Sequence, residues 1–141
     1  MDSANATVVR NNTIYQAAGT GISVIGRSWD VELRNNIIHM DTGTAIDVNQ
    51  RSQRRFDSDY NLFDLGTEAD WLNWGGTLFN QRASIFYELG IERHSLTGDA
   101  RFVDPAGPDG ILGFDADTET DGGLDDDFRL LSDSPAIDAG D

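Results

Sequence analysis

Short β-branched apolar runs recur along the chain with a fixed period. Val9, Ile14, Ile22 and Val24 return 24 residues later as Leu33, Ile38, Ile46 and Val48. The polar positions keep the same register, Asn11-Asn12 returning as Asn35-Asn36 and Gly19 as Gly43. A third copy, one residue longer, runs from Arg55 to Phe63 and puts Asn61 in the place of Asn12 and Asn36. A repeat of this size marks a stacked array, and its apolar runs are too short for an amphipathic helix. Each repeat therefore reads as two or three short strands joined by sharp bends. At the interstrand spacing of about 4.8 Å, Ile lies over Ile and Asn over Asn. An inward Asn at a bend can adopt the left-handed conformation and hydrogen-bond to the next Asn, which satisfies polar groups buried by the turn.

The pattern changes after residue 65. Asp64 to Gly76 is polar, closed by Gly75-Gly76, and carries Trp71 and Trp74, which reads as a loop. Thr77-Leu78-Phe79 returns as a strand. Asn80 is a suitable N-cap for a short helix over 81–89, where Ile85 and Leu89 share a face and Gly90 fits the C′ position. The expected organisation is a single all-β domain or domain fragment spanning 1–141. Regular coils occupy 1–65, a loop and the short helix 66–98, and closing coils 99–141 with an acidic insertion at 104–127.

The Val-x-x-Asn-Asn-x-Ile unit resembles the rungs of right-handed parallel β-helix proteins of the pectin-lyase-like superfamily. The segments Asp99–Pro105, Asp127–Leu131 and Ser134–Asp141 resemble the closing coils of large secreted bacterial members. The resemblance implies a solenoid in which this chain forms the C-terminal coils, with further coils upstream and an open end prone to self-association. It implies little about activity, because that superfamily includes lyases, hydrolases, epimerases, adhesins and non-catalytic surface proteins.

Charge narrows the partners. The chain carries 25 acidic and 10 basic residues, all the basic ones Arg, for a net charge of −15. Nucleic acid and anionic membrane surfaces call for clustered positive charge, so neither is expected. No apolar run is long enough to span a membrane as a helix, and residues 1–5 have no signal-peptide character. Cysteine is absent, which removes disulfide and thiol chemistry.

Three constellations carry candidate chemistry. The acidic insertion holds nine carboxylates, and Asp117, Glu119 and Asp121 followed by Gly122 match the start of a calcium loop. The closing position falls on Phe128, so Asp125, Asp126 or Asp127 would have to complete it; the competing reading is a solvated acidic loop. Arg51, Arg54 and Arg55 beside Asp57 and Asp59 form the only basic cluster. They are the weak catalytic candidates for lyase chemistry, against a turn of local Arg–Asp pairs worth less than about 1 kcal/mol each. Asp30, Asp47, Asp57 and Asp59 could supply carboxylate pairs for glycoside hydrolysis without any pair standing out. Trp29, Trp71 and Trp74 could form a sugar-stacking platform, with a hydrophobic lid as the alternative for the loop pair.

The resulting expectation is a carbohydrate-associated or cell-surface module, extracellular or on a bacterial surface, binding polysaccharide without catalysis and stabilised by calcium. A polysaccharide lyase or hydrolase fragment, and a structural spacer or adhesin segment, are the alternatives.

Overall fold

A computed structural model of the chain describes residues 2–141. Strands dominate, with one α-helix among the described residues. The first layer consists of β1 (Asn5–Arg10), β2 (Thr13–Gln16) and β3 (Thr20–Val24), the second of β4 (Trp29–Arg34) and β5 (Ile37–Val48), and the third of β6 (Asp57–Asp59) and β7 (Leu62–Trp74). The 24-residue period becomes parallel pairing: Val9 faces Leu33, Ile14 faces Ile38, and Ile22 faces Ile46. The extra residue in the third copy shifts the next step to 25, pairing Ile38 with Phe63. Inward side chains of the middle layer, Val31, Leu33, Ile38, Met40, Ile46 and Val48, are at most 1 % exposed and form the centre of the core.

The bends are held by the asparagines. Asn12 Nδ2 donates to Asn36 Oδ1 at 3.1 Å, and Asn36 Nδ2 donates to Asn61 Oδ1 at 3.0 Å. The same two oxygens also accept from the backbone N–H groups of Asn12 and Asn36. The left-handed residue at each bend is the one before the inward amide, namely Asn11, Asn35 and Tyr60 with φ of 60°, 55° and 57°. The left-handed expectation was therefore one residue out of place: the inward amide stays extended to start the next strand. Gly43, at φ 95°, is needed for closeness as well as for its backbone angle, since a Cβ there would come within 2.2 Å of the Gly19 carbonyl oxygen in the layer below.

Parallel stacking stops at the third layer. Gly75-Gly76 turns β7 back into β8 (Thr77–Phe79), which pairs with it antiparallel. Helix α1 (Arg82–Leu89) follows, then β9 (Leu96–Thr97), parallel to the start of β7. The tail contains β10 (Phe102–Asp104), a hairpin of β11 (Phe114–Asp115) and β12 (Thr120–Asp121), and β13 (Asp127–Leu130), which pairs antiparallel with β10. The sheets are separate: three strands in one, six in a mixed sheet, and two antiparallel pairs. This corrects the expectation of a right-handed parallel β-helix. The chain does not form a solenoid, and of the segments resembling closing coils the first two pair antiparallel as β10 and β13, while Ser134–Asp141 carries no strand.

Two local readings also change. Asp64–Trp74 is strand rather than loop, because β5 offers it a parallel template from Ile37 to Val48, broken by one register shift between Met40 and Thr42. Helix α1 begins one residue later than the Asn80 cap implies: Gln81 occupies the N-cap position in extended conformation without a side-chain cap bond. Its C-terminal end is as expected, Gly90 taking φ 76° and donating its N–H to the Phe86 carbonyl at 2.9 Å. Ile85, 1 % exposed, joins the core with Leu89 against it, while Tyr87 faces solvent.

Candidate functional site

Strand alternation makes the outer face of the β1–β4–β6 sheet a ruled array of polar side chains. Val9, Leu33 and Ser58 are in register and point inward, so their neighbours point outward: Val8, Glu32 and Asp57 form one cross-strand row, Arg10, Arg34 and Asp59 the next. Ion pairs join the rows. Arg10 Nη2 lies 3.0 Å from Glu32 Oε1, Arg34 Nε 3.6 Å from the same oxygen, and Arg34 Nη1 3.7 Å from Asp59 Oδ2, while Arg34 Nη2 donates to Asp57. Arg55 pairs with Asp30 at 2.9 Å. Arg34 is the hub, with its side chain only 18 % exposed and its guanidinium 5.9 Å from the Tyr60 ring centre. Ala6, Val8, Asp30, Glu32, Arg55 and Asp57 line a shallow groove of about 370 Å³ across this face.

Flat rings flank the groove. Trp29, half-buried, carries the guanidiniums of Arg54 and Arg55 over its ring at 5.2 and 4.9 Å. Tyr60 stacks on His94 with ring centres 4.7 Å apart. Asp59 Oδ2 meets His94 Nδ1 at 2.8 Å, and Asp59 Oδ1 accepts the backbone N–H groups of Tyr60 and His94 at 2.9 and 2.6 Å. Burial raises the Asp59 carboxyl, but the His94 and Tyr60 hydrogen bonds outweigh it and hold the group below the usual carboxylate range. Asp59 thus orients the His94 ring through Nδ1.

Behind Asp59 lies Glu92, 2 % exposed. Its Oε2 accepts from Ser95 Oγ and, at 3.4 Å, from Asn61 Nδ2, whereas Oε1 has no partner. Burial pushes its carboxyl up, against the lowering hydrogen bonds of Ser58, Ser95 and Asn61. Asn61 donates its backbone N–H to Ser95 Oγ at 2.9 Å, so Ser95 ends the asparagine row.

On the neighbouring sheet Tyr15, His39 and Asp64 stand in one cross-strand row. His39 Nδ1 lies 2.9 Å from Asp64 Oδ2 and Nε2 3.4 Å from Asp41, while Tyr15 stacks on His39 at 4.0 Å and packs against Phe102 and Phe128. Burial first, then the charges of Asp41, Asp64 and Asp99, raise the Tyr15 hydroxyl. His39 thus backs the Tyr15 ring on which Phe102 and Phe128 of the β10–β13 pair pack. A pocket of about 100 Å³ lies between the asparagine bends and the C-terminal segment, which Asp141 fastens to Asn35.

The sequence candidates separate. Arg54, Arg55, Asp57 and Asp59 come together on or beside the face with Trp29, while Arg51 is exposed in a short 3₁₀ turn. Trp71 is 8 % exposed and stacks on Phe63 at 4.5 Å within the core, and Trp74 packs edge-on to Phe56 at 5.5 Å. The lid reading therefore describes this pair, and Trp71 has no free face for a sugar. Sequence reasoning missed Arg34, His94 and Glu92; the two Asp–His pairs span 25 and 35 residues, and only the repeat register could have revealed the first.

The proposed calcium ligands do not gather. Asp127 forks onto Arg129, which holds its carboxyl down to about 2, and Asp121 accepts the Gly123 N–H at 3.2 Å. Among the described residues no group of three or more His, Cys, Asp or Glu side chains is placed to hold a metal ion. Thermal unfolding in calcium and in magnesium at equal ionic strength is expected to give the same midpoint, unchanged by chelator. A rise of several degrees specific to calcium would contradict this reading.

No family model matches the chain, and no curated protein or solved structure is significantly similar to it.

Proposed function

We propose that the chain is a polysaccharide-associated module of an extracellular or cell-surface protein, binding a neutral, extended glycan without catalysis along the outer face of the β1–β4–β6 sheet. The observation that carries this reading is the charge-balanced array on a strongly acidic protein: Asp30, Glu32, Asp57 and Asp59 are offset by Arg10, Arg34, Arg54 and Arg55. Paired guanidiniums and carboxylates offer fixed donors and acceptors to hydroxyl groups, which are both. Trp29 holds the Arg54 and Arg55 guanidiniums over its ring, which fixes their donors at the edge of the groove. The negative field around the face disfavours an anionic chain.

A second reading has one specific observation behind it: a half-exposed His94 whose Nδ1 is held by the Asp59 carboxylate is the arrangement of a general base in a lyase or hydrolase. Affinity electrophoresis with hydroxyethylcellulose and with polygalacturonate tests both. Retardation by the neutral polymer is expected, insensitive to added salt and weakened about tenfold, or 1.4 kcal/mol, in Arg34→Ala and Trp29→Ala. No retardation by either polymer would overturn the binding module in favour of a spacer. Release of new reducing ends or unsaturated uronides, lost in His94→Ala, would favour the enzyme.

A further inference from the structure

One outward row of the mixed sheet is aliphatic. Ile14, Ile38 and Phe63 point into the core, so the residues beside them, Ile37, Leu62 and Leu96, in register on β5, β7 and β9, point out. Leu62 is nevertheless buried, because the tail folds back over this row. Leu130 of β13 and Ala136, Ala139 and Gly140 lie across from it, and the cavity of about 100 Å³ is left between the two surfaces.

The roof is made of the smallest side chains in its segment. Ile137, the one large aliphatic residue from Ser134 to Asp141, is 44 % exposed, while Ala136 and Ala139 line the cavity. Turned inward, Ile137 would fill the space; turned outward, it leaves the space open. Both ends of this strap are fastened: Ser134 Oγ donates to the Ala100 carbonyl at 2.6 Å, and the Asn35 amide exchanges hydrogen bonds with the Asp141 backbone at 3.1 and 3.4 Å. The strap is thereby held off the row beneath it.

The walls select the guest. The amides of Asn36 and Asn61 are engaged in the ladder and that of Asn35 with Asp141, so the side-chain amides of the lining offer little to a polar molecule or to water, which needs several polar partners. Tyr60, the other polar residue of the lining, has its ring stacked on His94. An aliphatic floor facing a strap of small residues makes a slot, the shape that suits a flat ring. An enclosed apolar cavity of about 150 Å³ holds benzene. This smaller slot, partly open to solvent, has room for one ring and not for two.

We infer that the cavity is a binding site for a monocyclic aromatic compound, seated on Ile37, Leu62 and Leu96 beneath the Ser134–Asp141 strap, with any polar substituent at the mouth.

Titration of isotope-labelled protein with phenol, followed through its backbone amide resonances, tests this. Saturable shifts are expected around the cavity, at Leu62, Leu96, Ala136 and Ala139, and naphthol, with two fused rings, should produce none at the same concentrations. Ala136→Leu and Ala139→Leu, which put bulk into the roof, should each abolish the phenol shifts, with a cooperative melt showing that the variant is folded. Ile137→Ser, on the solvent side of the strap, should leave them unchanged. Wild-type protein without saturable shifts would overturn the inference, as would an equal response to naphthol or phenol binding that survives in a folded, filled-roof variant.

Discussion

Replacing Asn61 by alanine is expected to cost about 3–5 kcal/mol, a large share of the roughly 5–15 kcal/mol that stabilises a domain of this kind. The Asn61 side chain is the junction of two networks. Its Oδ1 accepts from the backbone N–H and the Nδ2 of Asn36, both at 3.0 Å. Its Nδ2 is shared among the Leu33 carbonyl, Ser58 Oγ and Glu92 Oε2 at 3.3, 3.0 and 3.4 Å. Asn61 is 1 % exposed, so water cannot replace these partners, and each orphaned buried group costs about 1–3 kcal/mol.

The same substitution at Asn12 should cost only about 0.5–1 kcal/mol, because Asn12 is exposed and what it leaves behind can be solvated. Asn36→Ala should fall nearer to Asn61, since it bonds to the layer on either side and is equally buried. Urea denaturation of the three variants reads this order directly. Equal losses at Asn12 and Asn61 would mean that the ladder contributes nothing beyond its individual bends.

The asparagine ladder was legible because it obeys the repeat. A position that recurs at 24 or 25 residues must stack on itself, and of the residues available at a buried bend Asn both donates and accepts along the stack axis. The apolar register of Ile22, Ile46 and Leu72 follows the same rule. The repeat did not, however, determine how far the stack continues. Whether a layer is followed by another depends on long-range competition for the open edge of β7, and Gly75-Gly76 settles it by turning the same chain back before a fourth layer can form. The strand character of Asp64–Trp74 was hidden for a related reason: its polar residues face outward, and its partner, not its own pattern, dictates extension.

Site residues divide the same way. Arg55, Asp57 and Asp59 were visible as a cluster in sequence, but Arg34, which binds two of the rows together, looked like any exposed strand residue until the register placed it between Arg10 and Asp59. Glu92 was the least legible. Nothing local marks a carboxyl as buried when the groups that enclose it, Ser58 and Asn61, come from another layer.

Glu92 gives the second large effect, and its sign depends on pH. Burial raises its carboxyl in the folded state above the ordinary value of about 4.3 that holds in the unfolded chain. Its contribution to stability is thus fully present below that ordinary value and is lost as pH rises through the raised one. Asp59 acts oppositely: its carboxyl is lowered, so its contribution is present above the unfolded value of about 3.9 and is lost as acid protonates it. Glu92→Gln keeps an oxygen to accept from Ser95 and Asn61 and places an amide where Oε1 has no partner, while removing the proton that must be held. The variant should therefore melt higher than wild type at neutral pH, with the gap closing as pH falls toward 4. Glu92→Ala, which leaves a void and strips Asn61 and Ser95 of their acceptor, should instead lose about 2–4 kcal/mol at every pH. A Glu92→Gln midpoint below wild type throughout neutral pH would show that Glu92 is ionised in the folded protein. The partner stabilising that charge would then have to be sought in Arg34, whose guanidinium lies 3.7 Å from neighbouring Asp59.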